Sequence, residues 1–151
     1  MTYHIALVFL PLVLGMLSGL SVKSKKNGWY DTLQKPQWTP PKNAYGPVWT
    51  VLYLLMGIAL YRIVENGKAP PYVLYVFAAQ LLLNLVWTPV FFGAQNPRLA
   101  LWIIGGLLVT SFTTLVQFWK IDAVAGWLLV PYFAWLLVAG NINREIVLKN
   151  P

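Results

Sequence analysis

Five apolar stretches separated by polar breaks run along this chain: Tyr3–Val22, Tyr45–Val64, Tyr72–Phe92, Leu99–Trp119 and Val124–Val147. A helix of about 20 residues, rising roughly 1.5 Å per residue, crosses a hydrocarbon core of about 30 Å. The pattern therefore predicts an all-α membrane protein, a compact bundle of five transmembrane helices. Too few polar positions remain for a soluble domain, so residues 1–151 read as a single domain. Three of the four connections are short, which makes consecutive helices antiparallel neighbours.

The exception is the first connection, residues 23–44, KSKKNGWYDTLQKPQWTPPKNA. It is too polar to cross a bilayer and too aromatic for a plain linker. Trp29, Tyr30 and Trp38 need somewhere to bury their rings. Pro36, Pro40 and Pro41 restrict the backbone and lower the entropy lost on ordering. The segment reads as a structured lid over one mouth of the bundle, with a short helix over Asp31–Gln34.

Spacing inside the windows adds detail. Gly15 and Gly19 share a face of the first helix and allow close approach of another backbone. Pro47 suits a first turn in the second helix, where Trp49 and Tyr53 face the same way. Pro89 removes the bond to the carbonyl of Leu85 and bends the third helix. Asn84, Trp87 and Phe91 form one stripe there. Trp135, Ala139 and Asn143 repeat at four on the fifth helix, leaving a gap between a ring and an amide.

Charge orients the bundle. Charged residues make up 10% of the chain, against about 25% in soluble domains. The first connection carries five lysines against Asp31, and Arg98, Arg144 and Lys149 join that side against Glu145. The other side has Arg62, Lys68 and Lys120 against Glu65 and Asp122. The imbalance predicts an amino terminus outside, with the first loop and carboxyl terminus cytoplasmic; in a bacterium the membrane is the cell membrane. With no basic helix face and no zinc spacing, the positive charge does not mark a nucleic-acid partner. Only His4 precedes the first apolar run and lysines follow it, so that window reads as a retained helix, not a signal peptide.

Several chemistries are absent. There is no cysteine, hence no disulfide and no thiolate nucleophile. No ionisable side chain falls at the centre of a span, which argues against a proton pump, an ion channel or a hydrolase. His4 reads as an interface residue, and no metal-ligand cluster or required cofactor is expected. The chain offers instead 8 Trp, 8 Tyr and 7 Phe. Trp29, Trp38, Trp49, Trp87 and Trp135 all fall toward the positive end. Several rings with a few donors describe a site for a flat, largely apolar ligand, oriented by an indole N–H or the Asn84 amide. The alternative, that the rings are core and belt residues and Asn84 is interhelical glue worth ~1 kcal/mol, stays open at this level.

Four passages carry a resemblance: Trp29–Tyr30 through Pro36–Gln37–Trp38–Thr39–Pro40–Pro41; Gly46–Pro47–Val48–Trp49; Leu83–Asn84–Leu85–Val86–Trp87–Thr88–Pro89–Val90–Phe91–Phe92–Gly93; and Pro131–Tyr132–Phe133–Ala134–Trp135. In these the chain resembles the TspO/MBR family of tryptophan-rich sensory proteins and mitochondrial translocator proteins, also called peripheral-type benzodiazepine receptors. The resemblance implies five transmembrane helices, a homodimer in the membrane lipid, and binding of porphyrins, notably protoporphyrin, and of synthetic isoquinoline carboxamides and benzodiazepines. It maps the family pocket onto Tyr30, Pro40, Trp49, Asn84, Trp87, Phe91, Trp135 and Ala139. Thr88 stands where some bacterial members carry a ligand-facing Asn, and Trp38 would join the enclosure from the lid. Sterol recognition at the end of the fifth helix needs an aromatic residue before a basic one; Ile142–Asn143–Arg144–Glu145 lacks it. Among the roles assigned to the family, the residues support porphyrin binding, as a receptor or sensor, most directly. Light-dependent porphyrin degradation would use Trp38 and Trp135 as photochemical partners. Tetrapyrrole or lipid transport would need a path through the bundle.

Overall fold

Proline, glycine and short polar caps set the helix ends. A computed structural model describes residues 2–151, with side chains at 4–22 and 28–151. A 3-10 turn, Thr2–Ile5, leads into α1 (Ala6–Leu20). Then come α2 (Lys23–Thr32), α3 (Lys42–Asn66), α4 (Pro71–Thr88) running into a π-helical turn (Pro89–Gly93), α5 (Pro97–Ile121) and α6 (Ala123–Lys149). The helices α3, α4 with its π turn, α5 and α6 are long and apolar enough to cross a membrane, and α1 is a shorter apolar helix of 15 residues. Together these five make the predicted bundle. Gly67 closes α3 with φ 72°, a left-handed conformation that glycine adopts without a Cβ clash. Asn96 caps α5 by accepting from the Leu99 N–H at 3.1 Å, with Pro97 in the first turn.

Only Asp122 separates α5 from α6. Its carboxylate accepts from the Val124 N–H at 3.0 Å and from the Arg62 guanidinium at 2.8 and 3.2 Å. The hydrogen bond from Arg62 holds this carboxyl below the usual carboxylate range. Such a fork ties the turn to the end of α3. Nearby, His4 Nδ1 lies 2.7 Å from Glu65 Oε1, which places the amino terminus at this same end.

At the opposite end α2 spans ten residues and stops at Thr32, so the expected helix over Asp31–Gln34 is displaced toward the amino terminus. Lysines and Gly28 gave no apolar period, and the helix is held from outside. The Trp29 ring packs edge-on against Phe91 at 5.5 Å, and Tyr30 packs on Phe92 at 5.5 Å. Lys35 Nζ donates to the carbonyls of Tyr30 and Leu33 at 2.8 and 3.2 Å, satisfying the open end of α2. The Gln34 main chain and the Asn150 side-chain amide exchange two bonds of 3.0 Å. The first connection and the carboxyl terminus therefore share one end.

Within the bundle α1 lies on α3, α5 packs between α4 and α6, and α6 returns to α3. The closest backbone approach is at Gly57 of α3, where an added Cβ would overlap the Val8 carbonyl. Gly15 serves differently from the expectation: it faces the Tyr53 ring, not a backbone. Pro89 frees the Leu85 carbonyl as predicted, and Ser18 Oγ on α1 donates to that oxygen at 2.7 Å. Beyond Pro89 the ladder widens to the bond from Ala94 N–H to the Pro89 carbonyl, 2.8 Å, so the bend takes the form of a π turn.

Candidate functional site

The middle of the bundle holds a buried polar chain. Tyr53 Oη donates to Asn84 Oδ1 at 2.5 Å, Asn84 Nδ2 donates to Tyr132 Oη at 3.0 Å, and Tyr132 Oη donates to Gln80 Oε1 at 2.7 Å. It ties α3, α4 and α6 by bonds that satisfy one another. On the amino-terminal side of this chain the core is solid, with Phe77 stacked on Phe118 at 5.7 Å and Met56 and Ile63 fully buried. On the other side it opens into a cavity of about 390 Å³, within the range of small-molecule sites.

The walls come from the lid-side half of every apolar helix. Trp49 stacks near Tyr53 at 5.2 Å and meets Tyr132 edge-on at 6.4 Å. Trp87 stacks on Phe91 at 4.8 Å, and Thr88 completes that wall. Trp135 and Ala139 face the cavity from α6, with Tyr45 edge-on to Trp135 at 5.9 Å. Tyr30 closes it from α2, its hydroxyl 3.5 Å from that of Tyr45. Burial, with the Tyr45 hydroxyl second, raises the Tyr30 phenol well above its ordinary range, so it stays a neutral donor.

Eight residues singled out in the sequence thus share one cavity: Tyr30, Trp49, Asn84, Trp87, Thr88, Phe91, Trp135 and Ala139. Two do not. Pro40 lines a surface hollow of about 530 Å³ between α2 and the start of α3, which shares Tyr30 and Lys42 with the cavity. Trp38 is 55% exposed and lines neither space. After Leu33 the chain leaves α2, and Trp38 falls in a turn closed by the Thr39 N–H on the Pro36 carbonyl at 3.1 Å. Tyr45 is one of several wall residues left out, with Lys42, Tyr53, Phe92 and Asn143 among the others; it precedes Trp49 by four, so the same helical spacing marks it.

The polar groups differ in availability. Asn84 is engaged on both sides of its amide, which favours its reading as interhelical glue. The Trp87 indole donates to Asn143 Oδ1 at 3.0 Å, and Asn143 Nδ2 donates to the Pro97 carbonyl at 3.0 Å. Trp135 is the exception: its indole nitrogen is buried with no acceptor. A buried donor left unpaired is costly, by about 1–3 kcal/mol, and this one belongs to a cavity wall.

The TspO/MBR family profile matches residues 7–148. Tryptophan-rich protein TspO of Chlorobaculum tepidum is 36% identical over 145 residues, covering 94% of this chain and 92% of that protein. Tryptophan-rich protein TspO of Archaeoglobus fulgidus is 37% identical over 147 residues, 97% and 95% of the two chains. The pig (Sus scrofa) translocator protein is 35% identical over 149 residues, 92% and 85%. Similarity on this scale, spread over every helix of the bundle, makes the chain a multi-pass integral membrane protein belonging to the TspO/MBR family.

Proposed function

We propose that the cavity binds a porphyrin, with protoporphyrin as the reference ligand, and that the protein works as a membrane receptor or sensor for it. The observation that carries this is a cavity of about 390 Å³ walled by the rings of Tyr45, Trp49, Trp87, Phe91 and Trp135. Flat π-faces suit stacked and edge-on contact with a macrocycle. No cofactor is needed for binding. Homodimeric assembly belongs to the same reading and rests on the family resemblance alone.

The test is titration of the purified protein with protoporphyrin in the dark, followed by quenching of Trp fluorescence. Saturation at one ligand per chain is expected. Trp135→Phe keeps a ring but trims the aromatic wall, and should weaken binding about two- to tenfold. Absence of saturable quenching in the wild type would overturn the reading. The same indole supports a second reading, light-dependent alteration of bound porphyrin. Under illumination, loss of porphyrin absorbance should slow in Trp135→Phe and continue unchanged in Trp38→Phe, because Trp38 stands outside the cavity. A Trp-rich membrane protein without the cavity controls for bleaching in solution.

The charge balance supports a cytoplasmic lid. The lid end carries eight basic residues against Asp31 and Glu145; the other end carries three against Glu65 and Asp122. Because the chain lacks cysteine, single cysteines introduced at 25, 68 and 149 are clean probes. Impermeant labelling of intact cells should reach 68 alone. Labelling of 25 or 149 from outside would reverse the orientation.

A further inference from the structure

The wall of the cavity is apolar and aromatic with one exception in charge. Among the described lining residues Lys42 is the single ionised side chain. It occupies the first turn of α3 and pairs with Asp31 on α2, Nζ to carboxylate oxygen, at 2.7 Å. Both partners are about half exposed, 47% and 50% by side chain. The pair therefore sits at the rim, not in the depth. The other described lysine of the lid, Lys35, is turned away: its ammonium caps α2 and lies 4.5 Å from the outer Tyr30 ring.

Three features make this rim a place for a carboxylate. A lysine stem runs along apolar surface while its ammonium stays in water, so Lys42 reaches from the wall to the interface. The start of α3 has no side-chain cap, and its partial positive charge adds to the ammonium. Finally, Asp31 already places a carboxylate against Lys42, from the lid. A half-exposed ion pair is weak and exchangeable.

We infer that Lys42 is a specificity-determining residue of the cavity: it holds a carboxylate carried by the ligand, and Asp31 occupies that position when the cavity is empty. This rests on the porphyrin reading above and extends it to charge. The site would prefer a flat apolar body bearing an acid group to the same body without one. Asp31 competes with the ligand for the ammonium, and it repels an incoming carboxylate that has not displaced it.

The probes are protoporphyrin, which carries two propionates, and its neutral dimethyl ester, titrated in the dark in one detergent. The quantity read is the ratio of the two affinities, in which partition into micelles is constant from variant to variant. Lys42→Gln should lower the acid-over-ester ratio about two- to fivefold, the scale of an exposed ion pair. Lys42→Arg should hold it near the wild-type value. Asp31→Asn should raise it, because the competitor is gone. The wild-type preference should also narrow as salt is added. Circular dichroism checks that each variant is folded. An unchanged ratio in folded Lys42→Gln, with saturable binding intact, overturns the role of Lys42 and leaves porphyrin binding standing. Failure of both probes to saturate the wild type overturns the binding reading, and this inference with it.

Discussion

Gly57→Val is expected to lower stability by about 3 kcal/mol or more, because the new side chain has a backbone, not a movable side chain, in its way. The Val8 carbonyl lies within overlap distance of a Cβ at 57. The helix α1 must withdraw from α3, and the contacts flanking that point go with it. Thermal unfolding in detergent, followed by Trp emission, should show a large fall in Tm. Gly105→Val is the matched control: that glycine lies in the middle of α5 with open space around it, so its Tm should stay close to wild type. Equal behaviour of the two variants would mean that α1 does not rest on Gly57.

Ala139→Leu should have the largest effect on binding. Ala139 lines the cavity one turn beyond Trp135, so three added carbons take up ligand space. A methylene too many in a fitted pocket changes affinity by about tenfold or more. Protoporphyrin should weaken at least that much while helical content stays constant. Ala134→Leu, on the exposed face of the same helix, should leave the titration unaltered. Isothermal titration beside circular dichroism decides it. An Ala139→Leu protein of normal affinity would take this position out of the site.

What could be read from the sequence followed the range of each interaction. The spacing of Asn84, Trp87 and Phe91 is a property of one helix, and it placed them together on the cavity side of α4. Pro89 likewise announced a bend, since the missing N–H is local. The partner that repairs it, Ser18, is 67 positions from Leu85, and no local pattern names it. Gly57 carried no signal either, because only the arrival of α1 gives it a purpose. The small-residue spacing on α1 drew attention to Gly15, which meets the Tyr53 ring, while the backbone contact with α1 falls at Gly57 of α3. The helix α2 was hard to see because its lysine-rich sequence is apolar only at Trp29 and Tyr30, and these bind it to Phe91 and Phe92. Trp38 shows the limit of aromatic content as a guide: its ring belongs to the family-like passage, yet the backbone presents it outward.

The Tyr53–Asn84–Tyr132–Gln80 chain has a consequence for how the protein sits in its membrane. It seals the bundle at mid-depth, with packed rings beneath it, and the hollow above draws its walls only from the lid-side halves of the helices. Placed in a bilayer, such a bundle would be a cup opening toward one leaflet. On the binding reading proposed above, a ligand would reach it from that leaflet and the adjoining water, on one face of the bilayer. Its occupancy would then report a concentration on one side, undiluted by the other. Two phenols and two amides, none of them a carboxylate or an ammonium, make a floor that carries no fixed charge across the barrier. In this arrangement filling and emptying the cup would run independently of the voltage and proton gradient that the same membrane maintains.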